Sequence, residues 1–224
     1  MSIAENVARI KADIASAAIA AGRDPKEIRL CAATKMNDAN AVRQAIAAGV
    51  DCCGENRVQE LTQKLSENAY EGAPVHFIGH LQTNKVRQIL PFVHLIHSVD
   101  SLRLLECINR EAEKIGRTVR VLLEVHVAKE ETKSGFTPEE LLSLDLPLST
   151  LNHVEICGIM GMATNTDDQQ EIRRCFREIK NLAHSLPIEQ PIISMGMSDD
   201  YLLAIQEGST MLRIGSSIFG ERHY

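Results

Sequence analysis

The amino-acid sequence predicts an α/β protein: a single closed, TIM-like (β/α)8 barrel with an extra N-terminal helix. Three observations predict it. Eight short apolar runs are separated by segments with helical features, and strands alternating with helices make a parallel sheet covered by helices. The length of 224 residues falls within the range of roughly 200 to 400 used by such barrels. No linker, low-complexity tract or fixed-period repeat interrupts the alternation, so residues 1–224 read as one domain. A doubly wound open sheet is the rival architecture.

The first helix opens on a capping box, Ser2 with Glu5 three residues on, and stops at Gly22. The first strand, "IRLCAAT" (28–34), delivers Lys35 at its end. Asp38 caps the helix "ANAVRQAIAA", which stops at Gly49. "DCCGE" (51–55) is the second strand, followed by the helix "RVQELTQKLSENA". "VHFIG" (75–79) is the third, and Pro91 limits or kinks the helix "TNKVRQILPF" after it. "HLIHSV" (94–99) is the fourth; Asp100 or Ser101 caps "LRLLECINREAEKI", which stops at Gly116.

"VRVLLEVHV" (119–127) is the fifth strand and the clearest. Thr137-Pro138-Glu139-Glu140 is a second capping box, with proline at the first helical position. "VEICGIMGM" (154–162) is the sixth strand, followed by the helix "QQEIRRCFREIKNLAHSL". "PIISMGM" (191–197) is the seventh; Ser198 caps the helix "DDYLLAIQE", stopped at Gly208. "TMLRIG" (210–215) is the eighth.

Bulk properties exclude several functions. A net charge of −6 argues against nucleic acid as a partner, because a phosphate-backbone binder needs a basic footprint. Glu5, Arg9, Lys11 and Asp13 interrupt the first apolar pattern, so it is not a secretory leader. No uncharged apolar run approaches the roughly 18 residues a membrane helix needs. The six cysteines, Cys31, Cys52, Cys53, Cys107, Cys157 and Cys175, show no CxxC and no Cys/His metal-ligand spacing. They read as reduced core residues of a cytoplasmic protein, with no disulfide framework and no metal.

In a (β/α)8 barrel the working face is the C-terminal end of the strands, and the loops after strands 7 and 8 often build a phosphate site. Here those loops are "SMGMSDD" and "RIGSSIFG". Gly196 permits a tight turn, and Ser198 at a helix N-terminus either only caps that helix or also meets an anion. Alternation along strand 8 turns Leu212 and Ile214 toward the helices, and Met211, Arg213 and Gly215 toward the barrel axis. A buried guanidinium needs acceptors, from a ligand or from a structural carboxylate. Gly215 and Ser216 add amides at the rim.

Cys31, Ala33 and Lys35 share one face of strand 1, which closure sets beside strand 8. Lys35 is thereby expected near Arg213 and Gly215. A lysine in a half-dry pocket beside an arginine loses proton affinity, and a neutral amine attacks an aldehyde. A lysine, a phosphate cradle and a partner for a ring nitrogen are the parts of a pyridoxal 5′-phosphate (PLP) site. Without the cradle, a strand-end lysine is ordinarily just solvated.

The motifs "TK" (34–35), "GENRVQE" (54–60), "HFIGHLQTNK" (76–85), "TKSGF" (132–136), "GIMGMA" (158–163), "SMGMSDD" (194–200) and "RIGSSIFGER" (213–222) span nearly the whole chain. In them the chain resembles the pyridoxal-phosphate homeostasis proteins, single-domain relatives of the alanine racemase N-terminal barrel. The resemblance implies that Lys35 is the Schiff-base lysine and that Asn56 lies beside the cofactor ring. It implies that Ser198, Gly215 and Ser216 hold the phosphate and that Arg213 faces the pyridine nitrogen. Ile78 and Met160 would line the pocket. Lys133 matches a lysine on the loop after strand 5, either a secondary cofactor contact or a solvated residue. Two departures are local: "TKMN" replaces TK followed by a hydroxyl or basic residue and proline, and "CGEN" stands where an aromatic often precedes "GEN".

Racemases of this resemblance use a second domain that supplies a catalytic tyrosine across a subunit interface. This sequence stops four residues after Gly220, and Tyr70, Tyr201 and Tyr224 fall outside the ligand motifs. A guanidinium opposite the pyridine nitrogen disfavours its protonation and damps the ring as an electron sink. The expectation is therefore a PLP-binding protein that buffers or carries the cofactor in intracellular PLP homeostasis. It would have no catalytic turnover and no catalytic residue. Its partners would be PLP and, transiently, apo PLP-dependent enzymes, with no nucleic acid and no membrane, and it would be a monomer. The rival is a small fold-type-III amino-acid racemase; more remote is a phosphate-sugar barrel enzyme using Lys35 as an aldolase-type lysine.

Overall fold

Eight parallel strands run in chain order around a closed barrel, β1 pairing with both β2 and β8. They are β1 Arg29–Ala33, β2 Cys52–Glu55, β3 Val75–Phe77, β4 Leu95–Val99, β5 Val119–Val125, β6 Val154–Gly161, β7 Ile192–Ser194 and β8 Met211–Ile214. The helices are α1 Ile3–Ala20, α2 Ala39–Ala47, α3 Val58–Ser66, α4 Val86–Ile89, α5 Leu102–Lys114, α6 Pro138–Ser143, α7 Gln169–Ser185, α8 Tyr201–Gln206 and α9 Ser216–Phe219. This is a computed structural model, and it describes residues 1–128, 134–144 and 151–220.

The predicted barrel and its extra N-terminal helix are both present. α1 carries the Ser2–Glu5 capping box, and α6 carries that of Thr137 and Glu140. Asp38 and Ser101 cap α2 and α5. The helix expected over 83–92 is shorter and split, a 3-10 turn at Thr83–Lys85 leading into α4. Pro91 offers no amide to continue it. α1 lies across α2, α8 and α9, where Asn6 Nδ2 donates to Ile218 O at 2.9 Å.

The period of two along each strand sorts side chains into two layers. Leu30, Cys53, Phe77, Ile96, Ile159 and Leu212 belong to the layer packed under the helices. That layer also receives Ile108 of α5 and Phe176 of α7, both fully buried. Each such side chain contributes about 1.5–3 kcal/mol by leaving water, and Phe176→Ala would cost about 3–5 kcal/mol. Cys31, Cys52, Leu95, Leu122, Cys157, Met160 and Met211 fill the barrel interior. All six cysteines are buried free thiols. Among the described residues no helix is long and apolar enough to cross a membrane.

Candidate functional site

Lys35 lies in a turn just past β1, not on the strand itself. The Asn37 amide donates to Thr34 O at 3.2 Å, and Met36 takes a left-handed φ of 62°. Both sides of the turn are tied down. Lys64 Nζ, from α3, donates to Thr34 O at 2.7 Å, and Asn37 Nδ2 donates to Lys35 O at 3.0 Å. The Met36 amide donates to Glu60 Oε2 at 2.7 Å. Behind the turn, Glu55 Oε1 accepts from Lys64 Nζ (2.7 Å), Thr34 Oγ1 (2.5 Å) and Tyr70 OH (3.1 Å). This network presets the backbone from which the Lys35 side chain starts.

Closure brings β8 alongside, with Cys31 in register with Arg213. Gly215 stands against Ala33: a Cβ on it would lie 3.4 Å from the Ala33 Cβ. The Gly215 and Ser217 amides both donate to Ser198 Oγ, at 3.4 and 3.3 Å. Ser216 sits between them, exposed, at the start of α9. Successive amides converging on one point make an anion cradle. Ser217 is a member that sequence reasoning missed.

The expected N-cap role of Ser198 is not observed. Asp200 precedes α8, and its Oδ1 accepts from the Met197 amide at 2.6 Å. A turn over 198–200 separates Ser198 from the helix, and its hydroxyl reaches across to the start of α9 instead. Gly196 makes this turn possible: its φ is +94°, and a Cβ there would sit 2.5 Å from the Ala204 Cβ.

Arg213 points into the barrel, as alternation requires, and is 6% exposed. It donates to Ser194 Oγ at 2.6 Å and to Gly161 O at 3.1 Å. Among the described residues no carboxylate lies within ion-pair distance of it. Burial holds its pKa below the usual arginine value. Ser194 Oγ is 3.0 Å from His97 Nδ1, and His97 Nε2 is 3.0 Å from His76 Nδ1. Burial pushes His76 down to about 3 and His97 well below its ordinary value, so both rings are neutral. A guanidinium can only donate, so Ser194 Oγ accepts from Arg213. Ser194 Oγ with His97 Nδ1, and His97 Nε2 with His76 Nδ1, each share one proton in a hydrogen bond.

Glu124 is another residue the sequence reading passed over, although alternation in "VRVLLEV" puts it inward with Leu122. It is 4% exposed, and burial, with Asp100 nearby, pushes its carboxyl up to about 7. Ile78 and Met160 pack in the barrel interior. Asn56 packs its backbone against Gly79, and its Oδ1 is buried with no hydrogen-bond partner. An unpaired buried acceptor costs about 1–3 kcal/mol, which a bound ligand offsets. Lys133 and Tyr224 lie outside the described residues.

An amine at the rim, an amide cradle, a buried cation without a counter-charge and an orphaned acceptor suit a small phosphorylated aromatic aldehyde. Pyridoxal 5′-phosphate fits this donor set.

The family model described as alanine racemase, N-terminal domain, matches residues 3–223. A pyridoxal phosphate homeostasis protein of Pseudomonas aeruginosa is 39% identical over 223 residues, covering 100% of this chain and 97% of that one. A protein of the same name from Aquifex aeolicus is 37% identical, with 100% of both chains covered. The structure of PipY of Synechococcus elongatus with PLP bound superposes with a TM-score of 0.85 at 33% identity, covering 98% of this chain and all of that one. Alanine racemase from Corynebacterium glutamicum, at 18% identity and a TM-score of 0.64, shares the fold over 61% of its chain.

Proposed function

Because the chain belongs to the alanine racemase N-terminal domain family, among its pyridoxal phosphate homeostasis proteins, we propose that it binds PLP at the C-terminal mouth of the barrel. There the aldehyde carbon is bonded to Lys35 Nζ, and the protein buffers and hands over the cofactor without catalytic turnover. Bound PLP supplies a reactive aldehyde conjugated to an electron-withdrawing ring. Ser198, with the amides of Gly215, Ser216 and Ser217, binds the phosphate. Arg213 donates to the ring nitrogen, and Asn56 lies beside the ring. Residues 1–224 act as one cytoplasmic domain and as a monomer, with apo PLP-dependent enzymes as transient receivers. Six buried free thiols support a reducing compartment.

The observation that carries this reading is Arg213, a buried cation held only by neutral acceptors. Such a group keeps a ring nitrogen unprotonated, which suits storage better than carbanion chemistry. The described tyrosines are engaged elsewhere: Tyr70 donates to Glu55, and Tyr201 donates to Asp13 Oδ2 at 2.9 Å. Burial pushes Tyr201 up to about 12, which disfavours it as a proton carrier at neutral pH.

Absorbance of the purified protein, followed by borohydride reduction and peptide mapping, tests the site. The expected result is a near-visible band and an adduct on Lys35. An adduct on a different lysine refutes the site, and colourless protein that takes up no PLP refutes the binding. Amino-acid racemisation by pure protein, abolished in Lys35→Ala, would overturn the non-catalytic reading.

A further inference from the structure

Below the rim, the barrel interior holds a second set of reactive groups that the proposed function does not use. Cys31 of β1 and Cys52 of β2 are register partners, and His76 follows on β3. One ligand atom from each, two Sγ and an imidazole nitrogen, lies within 4.8 Å of the others. Cys52 Sγ is 3.5 Å from His76 Nδ1. In a tetrahedral zinc site, bonds of about 2.3 Å to sulfur and about 2.0 Å to nitrogen place those two atoms about 3.5 Å apart. Three strands far apart in sequence thus present the edge of a coordination sphere already at its working length.

We propose that Cys31, Cys52 and His76 form a binding site for one divalent ion of the zinc class inside the barrel.

Charge and softness select the ion. Two thiolates neutralise a divalent cation, so the complex buries no net charge, which this dry interior would penalise. Thiolate and imidazole suit zinc and its relatives, whereas magnesium and calcium need oxygen ligands. Leu95, Met160 and Met211 form an apolar wall around the cluster. His76 Nδ1 is the ligand nitrogen, and a bound ion takes the lone pair that otherwise meets His97 Nε2 at 3.0 Å, exchanging that hydrogen bond for a metal–nitrogen bond. His97, backed by Ser194, closes the remaining side. Binding breaks two S–H bonds, forms two metal–sulfur bonds and releases two protons to solvent; no oxidant or reductant is involved. A cleft of about 750 Å³ lined by Arg29, Arg120, Ile192 and Met211 opens at the opposite end of the barrel from Lys35, and Met211 is shared between its wall and the interior cluster. The other cysteines lack this arrangement: Cys53, Cys107 and Cys175 pack beneath the helices, as small hydrophobes do, and the Cys157 Sγ in the interior accepts from Arg120 Nε at 3.2 Å.

The test is a titration of the full-length protein, reduced and stripped of metal by chelator, with Co2+. We expect one equivalent to produce the intense visible bands of four-coordinate cobalt with a near-ultraviolet thiolate charge-transfer band, and Zn2+ to bleach both. Cys31→Ala and Cys52→Ala, checked for folding by circular dichroism, should lose these bands, and Cys107→Ala should keep them. Weak six-coordinate bands indifferent to both substitutions would overturn the proposal. Should the variants not fold, Cd2+ on the wild-type protein decides: a thiolate charge-transfer band supports the site, and its absence overturns it. None of the three ligands belongs to the phosphate cradle, and PLP uptake by the same protein, read from its near-visible band, reports on the proposed function separately from the cobalt bands.

Discussion

Lys64 and Arg213 are both buried cations, 5% and 6% exposed, yet the protein treats them in opposite ways. Lys64 lies outside the barrel, on the buried face of α3, and meets Glu55 at 2.7 Å with a further bond to Thr34 O. Arg213 lies inside and, among the described residues, meets only the Ser194 hydroxyl and the Gly161 carbonyl. Equal burial with unequal compensation separates their roles. The charge of Lys64 is neutralised within the fold, where it holds the base of the Lys35 turn. The charge of Arg213 remains available to whatever occupies the mouth. The carboxyls that act on Arg213 electrostatically, Asp200 and Glu124, are themselves discouraged from ionising by burial.

The largest expected effect tests the first half of this contrast. Lys64→Ala strands the Glu55 carboxylate and should cost about 3–5 kcal/mol in urea unfolding. A Lys64→Met, Glu55→Leu double variant should recover most of that loss, since removing both charges also removes the burial penalty. A single variant as stable as wild type would break the contrast.

Glu124 comes next. Its carboxyl is raised from 4.5 to about 7 in the folded protein, so between those values the folded state holds more protons than the unfolded one. Its contribution is therefore fully present below pH 4.5 and lost as pH rises through 7. The raised value corresponds to about 3 kcal/mol at most. Glu124→Gln should leave Tm near wild type at pH 5 and raise it at pH 8; a pH-independent difference would place the carboxyl in a wetter setting than its burial indicates.

Arg213→Met sharpens the second half. Losing two hydrogen bonds while relieving a buried charge should change stability by no more than about 1.5 kcal/mol. PLP binding should weaken about 10- to 100-fold, as expected for a lost charge-assisted bond. If stability collapses like that of Lys64→Ala, Arg213 is structural after all. Ser198→Ala is the mildest: it removes the hydroxyl shared by the Gly215 and Ser217 amides, with a loss of about 1 kcal/mol in PLP affinity and little change in Tm. Fluorescence titration against a thermal melt separates the two readouts.

Much of this molecule follows from local rules. The eight strands and most helix ends were legible because alternation, capping boxes at Ser2 and Thr137, and helix stops act within a few residues of chain. The inward set of β8 was legible for the same reason, and Arg213 faces the lumen as its parity required. Ser198 shows where that reasoning fails: by sequence it caps the following helix, but the amides of Gly215 and Ser217, at the start of α9, hold its hydroxyl.

By itself, the sequence determined the barrel, the sidedness of each strand and the small residues and lysine at the rim, since periodicity and turn chemistry are short-ranged. Only the tertiary structure decided that Arg213 has no carboxylate partner among the described residues, that Lys64 neutralises Glu55, and that Cys31, Cys52 and His76 share one corner of the lumen. Those facts depend on which residues meet once the sheet has closed on itself, and no spacing along the chain encodes a distance across the barrel.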